Sequence, residues 1–308
     1  MSRTPPNTGI VRLHTPSDIA PAAPIGLFRR LLRSRLSVIS LLVFALIVLL
    51  AAFGPVVYTQ SATRPDYAAI NAIPSAEHIL GTDNLGRDTL ARLLSGLRVS
   101  LIVALYVETL NILLGATLGL LAGYYGGILD VLVTRVADIL FAFPGLLLAI
   151  LVTAIFGSSV TEQFGGIGRL MLVAGSLSLV SWPLMARLVR SQVLVLREQE
   201  FVTAARSLGA THQRMILRHI IPNVGGIIIV ASTLDVASVV VNEAVLSLLG
   251  LGIQPPDPSI GKMITDAIPY LETNAWQVFF PSAALMLIVL TVSFLGDGLR
   301  EASDPQAR

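Results

Sequence analysis

Six stretches of the chain stay apolar for about 20 residues, the length at which a helix crosses roughly 30 Å of hydrocarbon. They cover residues 36–58, 99–123, 131–156, 170–186, 224–249 and 276–295. The pattern predicts an all-α integral membrane protein with six transmembrane helices. Residues 1–25, rich in Pro, Ser and Thr, lack any apolar period and predict a disordered tail. In residues 26–35, Leu27, Phe28, Leu31 and Leu32 share one helical face, and Arg29, Arg30 and Arg33 share the other. That is the pattern of a helix lying on a membrane surface. The spanning domain then takes residues 36–300, and residues 301–308 form a second tail. The first span lies behind some 35 residues, so it reads as an uncleaved anchor, not a removed signal.

Between the spans the polar pattern is informative. The outer loop, residues 59–98, contains HILGTDNLGRDTLARLLSGLRVSL. Its Gly-Thr-Asp and Gly-Arg-Asp clusters are turn and helix-start chemistry. Leu90, Leu93, Leu94 and Leu97 then predict an amphipathic helix packed on the bundle. Gly115, Gly119 and Gly123 recur every four residues in span two, a spacing that lets two helix backbones approach closely. Pro144, Pro183 and Pro281 predict bends in spans three, four and six. No internal repeat is evident.

The second polar stretch is EFVTAARSLGATHQRMILRHIIPN, from Glu200 to Asn223. Phe201, Ala204, Ala205 and Leu208 follow the i, i+3, i+4, i+7 rule, and Gly209 stands where helices end. Thr211 can cap a second helix, whose apolar face is Ile216, Leu217, Ile220 and Ile221, with Pro222 closing it. Two short helices meeting at a glycine predict a compact knob. An alanine pair anchors weakly in lipid but accommodates another protein, so the knob reads as a docking element.

Composition agrees with the spans and narrows the chemistry. The chain is 54% hydrophobic and 13% charged, with a mean hydropathy of +0.77, against about 25% charged in soluble domains. A net charge of +2 gives no electrostatic footprint for nucleic acid. The absence of cysteine excludes disulfide scaffolds and thiolate metal sites, and His14, His78, His212 and His219 are too scattered for a metal centre. Gly261-Lys262 is followed by Met263, so no phosphate-binding Walker loop exists, and hydrolase motifs are missing. A non-catalytic chain without metal or cofactor is expected.

Basic residues set the orientation. Arg29, Arg30, Arg33 and Arg35 precede span one, and Arg187, Arg190, Arg197, Arg206, Arg214 and Arg218 surround the connection between spans four and five. These regions and both termini are expected in the cytoplasm of an inner membrane. Arg64, Arg87, Arg92 and Arg98 oppose this count, among Asp66, Glu77, Asp83 and Asp88. Inside the spans, Glu108 and Asn111 lie one turn apart, and Asp235 shares a face with Asn242, beside Glu243. Asp138 follows Arg135 by three residues and could be neutralised by it. Each acid either makes a structural hydrogen bond or lines a solute path.

FVTAARSLGATHQRMILRHIIPN resembles the EAA loop of ABC importer permeases. Ala204, Ala205, Gly209, Ile221 and Pro222 match its pattern, while Thr203 stands where the family has glutamate, and Glu200 lies one turn too early. HILGTDNLGRDTLARLLSGLRVSL and EAVLSLLGLGIQPPDPSIGKMI are similar to segments of the C-type permease subunits of dipeptide, oligopeptide and nickel importers. The resemblance implies a type I ABC importer permease fold in which the cytoplasmic loop at 191–222 couples to ATPases through Glu200, Phe201, Thr203, Ala204, Ala205, Leu208, Gly209, Ile221 and Pro222. It implies a homologous B-type permease subunit, two cytoplasmic ATPases that bind ATP and Mg, and an extracytoplasmic substrate-binding protein. Thr82, Asp83, Arg87 and Asp88 would stabilise the outer loop or receive that binding protein. Glu108, Asn111, Asp138, Asp235, Asn242 and Glu243 are candidates for the solute path. Peptide is the expected cargo and nickel the alternative. A rival of another class is an ion-coupled secondary transporter with Glu108, Asp138 and Asp235 as its relay.

Overall fold

A computed structural model describes residues 30–303. The tail expected at 1–25, residues 26–29 of the surface helix, and residues 304–308 lie outside the described residues. Of the surface helix, Arg30 and Leu31 are helical and a turn follows at Leu32 and Arg33. Leu31 is buried in a cluster with Val230, Leu295 and Leu299.

The described residues fold as helices joined by loops, with no strand among them. We number the helices α1 (Arg35–Val57), α2 (Thr89–Leu110), α3 (Thr117–Tyr125), α4 (Gly127–Phe141), α5 (Gly145–Arg197), α6 (Glu200–Ser207), α7 (His212–Met215), α8 (Ile221–Leu248), α9 (Ile260–Ala267) and α10 (Trp276–Ser303). Among the described residues, five continuous helical stretches are long and apolar enough to cross a membrane. One of them, α5, is two helices: Gly165 has φ 62° and ψ −152°, outside helical geometry. A Cβ on Gly157 would strike Arg169 and one on Gly145 would strike Val180, contacts that only a folded-back hairpin permits. The six-span count therefore stands.

Three boundaries differ from the sequence pattern, each for a backbone reason. The leucine-rich segment after Asp88 is no separate surface helix but the opening of the second spanning helix, with Leu93, Leu94 and Leu97 buried. Asp88 caps it, its carboxylate accepting the Ala91 N–H at 2.8 Å. The third span is broken between α4 and α5, where Pro144 cannot donate and so starts α5. Pro222 does not close a helix. It enters α8 directly after a π-helical turn, Ile216–Ile220. The widened turn accommodates the ring, and Asn223 Nδ2 donates to the His219 carbonyl at 2.6 Å.

A second π turn, Asn111–Ala116, joins α2 to α3. From this turn onward the glycine ridge meets the returning leg of α5. A Cβ on Gly115 would lie 2.6 Å from the Trp182 carbonyl oxygen, and one on Gly123 2.9 Å from that of Arg190. Gly119 faces Ala186 even more closely. The main core, around Val103, Val107, Val173, Val240, Leu246 and Ile288, fills the space between α2, α5, α8 and α10.

Candidate functional site

The knob is built by two caps and a glycine. Helix α6 ends in a Schellman motif: the Gly209 N–H donates to Arg206 O at 3.0 Å and Ala210 N–H to Ala205 O at 3.1 Å. Gly209 holds φ 79°, which an L side chain resists, and no atom lies within 4 Å of its would-be Cβ. Thr211 Oγ1 then accepts the Arg214 N–H at 3.3 Å and starts α7. Val202, Met215, Ile220 and Val224 are buried at the knob's base, with Ala205 and Ile216 packed against them.

The apolar positions named from the sequence divide, Ala205, Ile216 and Ile220 turning inward. Phe201, Ala204 and Leu208 point away from the bundle, Leu208 being 88% exposed. Leu217, Ile221 and Pro222 are exposed as well, as are Glu200 and Thr203. Thr203 Oγ1 only donates back to Gln199 O. The apolar side of the knob is thus offered outward.

Its base is tied to α3 and α5. The Tyr124 hydroxyl and His212 Nδ1 are 2.9 Å apart, and Arg197 Nη1 reaches the Gly123 and Tyr124 carbonyls at 3.4 and 3.3 Å. Arg190 pairs with Asp130 on α4. These ties were not visible in the sequence, because nothing in the spacing of Tyr124 and His212 says that they meet.

The candidate path residues fall into separate groups. Asn111, fully buried, donates Nδ2 to Asp235 Oδ2 at 3.1 Å and accepts Ser178 and Ser181 hydroxyls at 2.9 and 3.0 Å. Glu108 is buried beside them. Glu243, fully buried, accepts from Ser100 and Ser247, each at 2.8 Å, and ties α2 to α8. Asn242 is half-buried and hydrogen-bonded to neither group. Asp138 pairs with Arg187 at 2.5 Å, not with Arg135 as its spacing suggested, because Arg187 also lies over the Phe141 ring. Ser178 and Ser181 were missed, although SLSLVS in a span is a readable polar stripe.

At the opposite end, the outer loop is held by its own charges. Asp83 receives the Arg87 backbone N–H at 2.9 Å and Nε at 2.7 Å, and lies 3.3 Å from Arg92 Nε. Asp88 also takes the Tyr58 hydroxyl at 3.1 Å and faces His78 Nδ1 at 2.9 Å. Burial, then the Asp88 carboxylate, push the Tyr58 phenol up to about 12. Thr82 is fully buried, accepting the Ala72 N–H at 2.8 Å, while Gln277 Nε2 donates to its carbonyl at 2.9 Å. Thr82, Arg87 and Asp88 are buried, so these side chains bond inward. Arg169, in the hairpin, reaches the Gly252 and Leu251 carbonyls at 2.9 and 2.5 Å and anchors the loop after α8.

Comparison with known proteins gives this architecture a family. Residues 115–308 match the model described as binding-protein-dependent transport system inner membrane component. Residues 26–74 match the N-terminal TM domain of oligopeptide transport permease C. The chain is 40% identical over 281 residues to the dipeptide transport system permease protein DppC of Alkalihalophilus pseudofirmus, covering 91% of this chain and 89% of that one. It is 36% identical to the oligopeptide transport system permease protein OppC of Bacillus subtilis, covering 89% and 87%, and 36% identical to OppC of Mycobacterium bovis, covering 91% and 94%. A multi-pass helical chain with this match over more than half its length belongs to the family of inner membrane components of binding-protein-dependent transport systems.

Proposed function

We propose that this chain is the C-type permease subunit of an ATP-driven importer of di- or oligopeptides. It forms half of the translocation path with a homologous B-type permease. The observation that carries this is the knob: a rigid paired helix, anchored by Val202, Met215 and Ile220, whose side of Phe201, Ala204, Leu208 and Leu217 is exposed, only the Phe201 ring lying near His219. Such a face fits a groove on a cytoplasmic ATPase, and two such ATPases bind the ATP and Mg that this chain has no motif for. The knob end, with both termini, faces the cytoplasm, a reading that the arginine distribution supports. An extracytoplasmic binding protein delivers the solute at the loop end. Because Thr82, Arg87 and Asp88 are buried, their role in that encounter is to hold the loop's shape while exposed Tyr67, Ile73 and Ile79 meet the partner.

The names of the relatives speak for peptide over nickel. Transport works only if the ATP-bound partners favour one permease state over another. The chain has no cysteine, so a single Ala204→Cys is a clean crosslinking handle. In the assembled complex it should join an ATPase subunit, and Gly209→Val should abolish uptake and its coupled ATP hydrolysis with membrane insertion intact. Crosslinking only to lipid reagents, or full uptake by Gly209→Val, refutes the docking role. Competition of labelled dipeptide by unlabelled dipeptide or nickel tests the cargo.

A further inference from the structure

The hydrogen bonds around Glu108 leave a surplus of oxygen. Glu108 is 5% exposed, yet among the described residues neither of its carboxylate oxygens, nor the buried hydroxyl of Ser232, has a partner in hydrogen-bond geometry, although Ser232, Asn111 and Asp235 all adjoin it. Asn111 cannot relieve it. Two serine hydroxyls donate to its Oδ1, which fixes the amide so that Nδ2 faces Asp235. One donor therefore serves two carboxylates.

No base supplies the missing positive charge. Neither Glu108 nor Asp235 has a salt bridge among the described residues. On α8, Glu243 is occupied by Ser100 and Ser247, and Arg218 and His219 stand at the helix's foot by the knob. On α5, Arg169 is bound to loop carbonyls, while Arg187 and Arg190 pair with Asp138 and Asp130. On α9, Lys262 pairs with Asp266. On α10, exposed Asp297 follows Gly296, which packs on Leu234, and so adds only negative charge; Arg300 and Glu301 lie beyond it. Helix α1 carries no charge past Arg35, and Arg92 and Arg98 sit at the outer end of α2. Buried Glu108 without a donor and half-buried Asp235 with a single donor, neither facing a base, cannot both stay charged without a cation.

The backbone is irregular at the same place. The π turn begins at Asn111, one helical turn after Glu108, and such turns cluster at functional sites. We infer that Glu108, Asp235 and Ser232, backed by Asn111, form a buried site for one small monovalent cation, an alkali-metal ion or a proton. Hard oxygen ligands suit such an ion. Among the described residues no third acid or histidine joins them, as a cage for a divalent ion would ask. The site lies among α2, the returning leg of α5 and α8, and it rests on this chain's geometry, independent of the docking reading.

The test uses the full chain in lipid nanodiscs, melted in sodium, potassium or choline chloride at equal ionic strength, between about pH 6 and pH 9. If an alkali ion is the occupant, the favoured salt raises Tm over choline by about 5 °C at hundredfold excess over Kd. Glu108→Gln and Asp235→Asn lose that rise, and Ser232→Ala shifts it to higher salt. If a proton is the occupant, Tm falls as pH rises in every salt, and Glu108→Gln flattens the profile. Identical salt and pH responses in wild type and Glu108→Gln overturn the site. Should the variants fail to fold, the unmodified protein decides. Saturable ²²Na⁺ or ⁸⁶Rb⁺ binding, or a protonated-carboxyl infrared band lost at high pH, supports it, and absence of all of these overturns it.

Discussion

Asp88 shows how much one side chain can do where three elements meet. It caps α2 through the Ala91 N–H, takes the Tyr58 hydroxyl from the end of α1 and faces His78 from the loop. Asp88→Asn keeps an acceptor for the cap but removes the charge, so the Tyr58 phenol should move from about 12 back toward 10. Tyrosine NMR titration of the two proteins checks this. A raised phenol stabilises the fold below pH 10, and that contribution is lost as pH rises through about 12, the only window in which this group makes stability pH-dependent. Gly119 sets the opposite kind of limit. Its Cα lies against the Ala186 backbone, so Gly119→Val should cost about 1–3 kcal/mol by overpacking. Gly175→Ala, with open space around it, should be neutral or stabilising in the same thermal melt. The cap and the glycine ridge were legible because their chemistry is local. Whether Val202 or Phe201 faces inward was not, since both lie near the edge of one helical stripe and only the packed base decides.

At the scale of elements, the hydropathy pattern located the spans well, for a helix in lipid must satisfy its own backbone. What it missed were two of the joints. The reversal at Gly165 and the bend at Pro144 were readable, but the two π turns alter the backbone without changing hydropathy. Nor could spacing along one helix reveal partners supplied by another, which is why Asp138 was matched to Arg135 instead of Arg187. Arg169 is the sharpest case: a lone charge near a span end, it is 6% exposed and holds the loop after α8 by two carbonyls. Arg169→Met should free both, costing about 1–3 kcal/mol per unsatisfied buried group. Limited proteolysis should then cut within residues 250–258, and a melt should show the loss, while an unaltered digest would show that the loop holds itself.

Across the whole molecule, the knob and the buried polar network share the returning leg of α5. That leg carries Ser178 and Ser181 on Asn111, then packs Ala186 and Arg190 against the glycine ridge, and ends at Arg197 on the α3 carbonyls. Because the ridge leaves no room for sliding, a push on the knob should move α3 and this leg together. On the proposed docking role, the Tyr124–His212 bond would pass that push across. Tyr124→Phe removes only the hydroxyl, so Tm of the isolated chain should fall by no more than the equivalent of about 1 kcal/mol. Amide exchange across residues 200–215 should nevertheless quicken several-fold, since local opening needs less free energy than global unfolding. In the assembled transporter the same change should lower solute moved per ATP hydrolysed while leaving ATP hydrolysis itself in place. Unchanged exchange together with unchanged coupling would mean that the knob is steadied by its buried base of Val202, Met215 and Ile220 alone.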